Sequence, residues 1–172
     1  MPIECPDHLQ TTLKSLGVDW IDLDEDELEK LSENWKEKAE SLRDKLGDLK
    51  SDSRSVWDES EHDQIDTWWD RYTEPTAAHE SLSQIADDFE SMGVGVLACA
   101  TFTVNAKEAT IEILQSFYDF KQEAKPHSDT WGSQSPFTPN DIAEVRDNTK
   151  EKILSVLEDL ENNVKGSSMS DI

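Results

Sequence analysis

From Ala78 to Phe120 one rule repeats. An apolar or small residue returns after four positions, then after three, through Ala78, Leu82, Ile85, Phe89, Met92, Val96, Cys99, Thr103, Ala106, Thr110, Ile113, Phe117 and Phe120. This alternation places every member on one stripe of an α-helix, whereas a strand would scatter the same residues over both of its faces. The spacing therefore predicts a single long helix with a seam of about 63 Å at 1.5 Å per residue. A seam of that length needs other helices to cover it. Val94 to Val104 is apolar on most faces, so this middle portion is expected to be covered on more than one side. Gly93 and Gly95 either weaken the helix locally or let another backbone come close.

Three further stretches carry the helical period. Leu9, Leu13 and Leu16 share a face between Pro6, which suits a first turn, and Gly17, which suits a C-terminal cap. They predict a short docking helix. Asp24 and Glu27 form an Asp-x-x-Glu capping pattern, with Leu23 and Leu28 at the positions of a hydrophobic staple. A helix is expected to start there, and Glu25, Asp26 and Glu27 complement the positive end of its dipole. Its seam reads Leu28, Leu31, Trp35, Ala39, Leu42, Leu46 and Leu49, before Ser51, Asp52 and Ser53 mark a turn. Trp57, Ile65, Trp68, Trp69 and Tyr72 resume helical spacing up to a break at Pro75. "AKPHSDTWGSQSPF", residues 124–137, reads as a loop. Thr138, Pro139 and Asp141 then restart a helix that carries Ile142, Val145, Ile153, Val156, Leu157, Leu160 and Val164, with Gly166 at its end. No run alternates with period two, so the expected fold class is all-α, an elongated antiparallel bundle of long helical hairpins with a short N-terminal helix. One domain is expected over residues 1–165, with a flexible tail or linker start at 166–172.

Charge narrows the function classes. With 39 acidic against 16 basic side chains the formal net charge is −23, which repels a phosphate backbone or an anionic membrane. Nucleic acid is not expected as a partner. The apolar run Met92 to Val104 falls short of the roughly 20 residues that span a bilayer, so no membrane insertion is expected. Cys5 and Cys99 have no metal-ligand spacing, and "MPIECPDHLQ" lacks the basic and apolar regions of a general secretory signal.

Candidate chemistry is sparse. His62 and Asp66 have the i, i+4 spacing that can hold a metal on a helix, but a His in so acidic a chain acquires carboxylate neighbours by composition alone. There is no phosphate-binding glycine loop, His-Glu-x-x-His, calcium loop or nucleophile elbow. No enzymatic activity, cofactor or metal is expected. Trp35, Trp57, Trp68, Trp69 and Tyr72 are the candidates for hairpin packing or partner contact, since each large aromatic buries on the order of 150–250 Å².

At "GVDWIDLDEDELEKLSENWKEKAESLRDKL" the chain resembles the WXG-like N-terminal helical domain of polymorphic toxins exported by type VII secretion. Gly17, Val18, Trp20, Asp24, Glu25 and Trp35 carry the resemblance, and Trp57, Trp68 or Trp69, Pro75 and Ala106 to Glu108 extend it over roughly residues 9–120. Glu59 stands where the family pattern has Gly, and Ile21 where Pro is common. The resemblance implies a trafficking module that pairs with a small helical WXG-type protein or with the secretion machinery, in the cytoplasm before export, with a toxin attached or cognate. Under it, Trp57 would plug the bend of a helical hairpin, with Trp68 and Trp69 packing back on Trp35. The other reading is an acidic immunity protein or inhibitor that neutralises a basic toxin or enzyme in the cytoplasm. A homodimer through Val94 to Val104 is a third arrangement open to the sequence.

Overall fold

The computed structural model describes residues 1–58, 77–125 and 137–169. The fold is all-α: α1 (Asp7–Leu16), α2 (Glu25–Asp58), α3 (Ala77–Glu123) and α4 (Pro139–Met169). No strand occurs among the described residues.

The helix ends follow local chemistry. Gly17 closes α1 at φ 65°, a left-handed conformation that glycine adopts without a Cβ penalty, and its N–H donates to the Lys14 carbonyl at 3.1 Å. At the start of α2 the Asp24 carboxylate accepts from the Glu27 N–H at 3.0 Å. Just before it, the Leu23 side chain is 44 % exposed while its carbonyl faces inward, accepting from Lys107 Nζ at 2.6 Å. Thr138 and Asp141 cap α4 reciprocally: the Thr138 N–H donates to Asp141 Oδ2 at 2.8 Å, and the Asp141 N–H donates to Thr138 Oγ1 at 3.2 Å. The Thr138 N–H, together with the Thr138 hydroxyl, holds the Asp141 carboxyl below its ordinary value.

Two sequence breaks are absent. The helix α2 runs through Ser51, Asp52 and Ser53 to Asp58, because their turn propensity is weak against the cooperativity of a helix already under way. Similarly, α4 continues past Gly166 to Met169, and α3 is unbroken through Gly93 and Gly95.

The chain forms two compact units, one of residues 1–28 and 98–172, the other of residues 29–97. In the first, Leu9, Leu13 and Leu16 of α1 join Cys5, Val18, Leu114, Phe117 and Ile153 in one buried cluster. A second cluster packs Ile21 and Ala106 on Leu160, with Phe102, Val156 and Val164 around them. Ala106 meets Leu160 while Leu114 and Phe117 meet Ile153, so α3 and α4 are antiparallel. Each fully buried Leu or Ile contributes roughly 1.5–3 kcal/mol.

The second unit pairs α2 with α3, again antiparallel. Ser32 meets Gly93, Trp35 meets Phe89, and Arg43 meets Asp87 and Glu90.

Candidate interaction surface

The α2–α3 pair of the second unit is joined along a line of small residues. Ser32, Ala39, Ala86 and Gly93 are buried, and each pair within a helix is seven residues apart. Ser32 Oγ donates to the Gly93 carbonyl at 2.7 Å. A Cβ on Gly93 would stand 3.0 Å from Lys36 Cγ and 3.1 Å from the Ser32 carbonyl oxygen, so the absent side chain is what lets the two backbones approach. Larger residues alternate with these contacts: Trp35 and Phe89 stack at a centroid distance of 5.2 Å, and Leu46 is buried further along.

That choice of contact line overturns part of the expected seams. Leu31, Leu49, Leu82, Ile85 and Met92 were each expected to be covered and are 44 %, 63 %, 37 %, 39 % and 49 % exposed. Val94 and Leu97 are 56 % and 39 % exposed, so the middle of α3 keeps one solvent-facing side. The seams hold at Ala39, Leu46, Thr103, Ala106, Thr110 and Phe117, which are buried, and the phase shifts by one residue at three positions, where Ser32 is buried in place of Leu31, Ala86 in place of Ile85 and Gly93 in place of Met92. A seam chosen by hydrophobicity picks the large residues, whereas close helix approach selects the small ones beside them.

Register sorts what flanks this line. Leu31, Lys38 and Lys45 each precede a buried residue of α2 (Ser32, Ala39, Leu46), and Ile85 and Met92 each precede a buried residue of α3 (Ala86, Gly93). In an antiparallel pair these five positions border the same groove. Arg43 and Glu90 lie on the opposite flank, where they form a surface ion pair at 2.6 Å.

The first unit holds a polar site of another kind. Lys107 and Glu25 form an ion pair at 2.6 Å whose side chains are 3 % and 5 % exposed. Lys107 also donates to the Leu23 carbonyl, and Glu25 accepts from the Ile3 N–H. This knot fastens the N-terminal segment and the 18–24 turn to α3. Burial pushes the Glu25 carboxyl up, but the Lys107 ammonium together with the Ile3 and Glu25 N–H groups outweighs it and holds the group below the ordinary Glu value. An open cleft of about 450 Å³ lies beside the knot, lined by Ile3, Leu13, Val18, Trp20 and Lys107 among others. Glu25, which the sequence marks as a dipole-complementing acid, is buried. A lysine at a heptad position of α3, Lys107, was the available sign of a buried partner.

Of the aromatic candidates, Trp35 is half-buried against Phe89. Trp57 belongs to α2, but its side chain lies outside the described residues, as do Trp68, Trp69 and Tyr72 and the His62–Asp66 pair. His8 meets Tyr118 edge-on at 5.4 Å and Gln115 at 3.0 Å.

No protein-family model matches the sequence, and no curated protein and no solved structure matches it significantly.

Proposed function

We propose that this chain is a non-enzymatic helical interaction module whose second unit pairs with a helical partner protein. One observation carries the reading: the second unit leaves Leu31, Leu82, Ile85, Met92 and Val94 between 37 % and 56 % exposed, while its buried apolar side chains among the described residues are Ala39, Leu46 and Ala86. Among the described residues, both hydrophobic clusters lie in the first unit. Exposed large side chains beside a core of small ones mark an unfilled helix-packing site. The resemblance to WXG-like export domains supports a small helical protein as the partner and type VII secretion as the setting.

The 80–123 stretch of α3 is by length and composition apolar enough to cross a membrane, with 22 % of its most apolar window buried. Thr103, Lys107 and Thr110 at buried positions favour a protein setting, since Lys107 is fully engaged with Glu25 and Leu23.

Affinity capture with the full chain, compared with its Ile85→Glu and Met92→Glu variants, tests this reading. A small helical protein should be retained by the wild type and lost from both variants. Capture of a basic enzyme that is indifferent to both substitutions and released by salt would favour the inhibitor reading instead.

A further inference from the structure

We infer that the groove bordered by Leu31, Lys38, Lys45, Ile85 and Met92 seats an amphipathic helix with an acidic edge. This rests on the helix-partner reading and adds the partner's chemistry. Two independent observations lead to it.

The first is continuity with a flank that is already covered. At steps of seven, one stripe of α3 runs Ile85, Met92, Cys99, Ala106 and Ile113, each one residue before a member of the buried line Ala86, Gly93, Ala100, Lys107 and Leu114. Ala106 packs on Leu160 of α4, with Phe102 against the same cluster, and Ile113 packs on the cluster that contains Ile153. This flank of α3 is therefore a helix-binding flank wherever α4 reaches it. At Ile85 and Met92 the same stripe is exposed, with Gly95 offering the small surface that close approach requires. The natural occupant is a helix that presents, as α4 does, apolar residues at steps of three and four.

The second is charge on the opposite border. Lys38 and Lys45 are exposed, stand seven residues apart, and make no ion pair among the described residues, although the chain has 39 carboxylates. Arg43, on the other flank, binds two carboxylates. A helix lying in the groove would bring its α2-facing edge to Lys38 and Lys45, and Asp or Glu along that edge would complete both pairs. Local charge thus asks for an acidic edge while the net charge of −23 favours a basic ligand at long range. That opposition makes the inference testable.

The probes are two synthetic amphipathic helical peptides with the same Leu/Ile stripe, one edged with Glu and the other with Lys. Titration against the full chain near physiological salt, where the Debye length is about 8 Å, screens the distant charges and leaves contact pairs intact. The Glu-edged peptide should bind about fivefold more tightly than its twin, and Lys38→Glu with Lys45→Glu should invert the order. Ile85→Glu and Met92→Glu should abolish binding of both, with circular dichroism unchanged because both positions are already exposed.

Tighter binding of the Lys-edged peptide to the wild type, or a preference untouched by the double lysine variant, overturns the acidic edge and leaves the helix-partner reading standing. If neither peptide binds and Ile85→Glu changes no association, both readings fail. A dimer in sedimentation that Met92→Glu dissociates would put a second copy in the groove, and binding to phosphatidylserine vesicles lost in the same variant would assign it to a bilayer. Either result overturns the inference.

Discussion

Glu25→Gln is expected to destabilise the protein by about 3–5 kcal/mol, because it leaves the Lys107 ammonium buried without a counter-charge. That is a large share of a typical domain's roughly 5–15 kcal/mol. The pair itself need not be strongly stabilising, since taking both charges out of water offsets much of their attraction. Glu25→Leu combined with Lys107→Met should therefore recover most of the loss, and urea unfolding of the single and double variants separates the two effects. The sign of the pH dependence follows from the lowered Glu25 value. A carboxyl whose folded value is depressed stabilises the fold fully above its unfolded value, about 4.3 for Glu, and loses that contribution as pH falls through the folded one. The wild type should thus lose stability over this acid range more steeply than Glu25→Gln. Equal slopes, or a cost for Glu25→Gln below about 1 kcal/mol, would show that water reaches the pair.

The second large effect is expected at Gly93. A leucine there would drive its Cβ to within 3.0 Å of Lys36 Cγ and 3.1 Å of the Ser32 carbonyl oxygen, forcing the α2 and α3 backbones apart and stretching the Ser32–Gly93 hydrogen bond. Overpacking of this kind costs about 1–3 kcal/mol or more, against at most about 1 kcal/mol gained from helix propensity. Gly47→Ala is the control: nothing lies within 4 Å of its Cβ position, so propensity alone should stabilise α2 by up to about 1 kcal/mol. Amide exchange over residues 29–49 and 80–97 would register both changes, faster for Gly93→Leu and slower for Gly47→Ala. Unchanged protection in Gly93→Leu would mean that the contact line through Gly93 does not hold the second unit together.

Much of the architecture was legible in the sequence because its signals are local and periodic. Pro6, Gly17, Asp24, Thr138 and Pro139 fix helix ends through backbone chemistry within a few residues, and the alternation of three and four along residues 78–120 identified α3 as one helix. The phase of the contact line was harder to read. Hydrophobicity ranks Ile85 above Ala86, Met92 above Gly93 and Leu31 above Ser32, but a helix pair at close range is decided by which side chains leave room. The heptad spacing of Ala86, Gly93 and Ala100 was the sequence sign of this. Residues Ser51 to Ser53 misled for a different reason: their turn propensity is weak compared with the cooperativity of a helix already formed. The Glu25–Lys107 pair spans 82 residues and has no local signature.

The burial of Cys5 has a practical side. Its thiol sits in the cluster with Leu9, Leu13 and Ile153, and burial pushes it above the ordinary thiol value. Cys99 is half-buried and its thiol is also raised by burial, so neither is a ready thiolate at neutral pH. A thiol reagent such as Ellman's should consequently reach Cys5 slowly, and faster during excursions that lift α1 from its seat. Its labelling rate then serves as a native stopwatch for those excursions, with no probe grafted onto the protein.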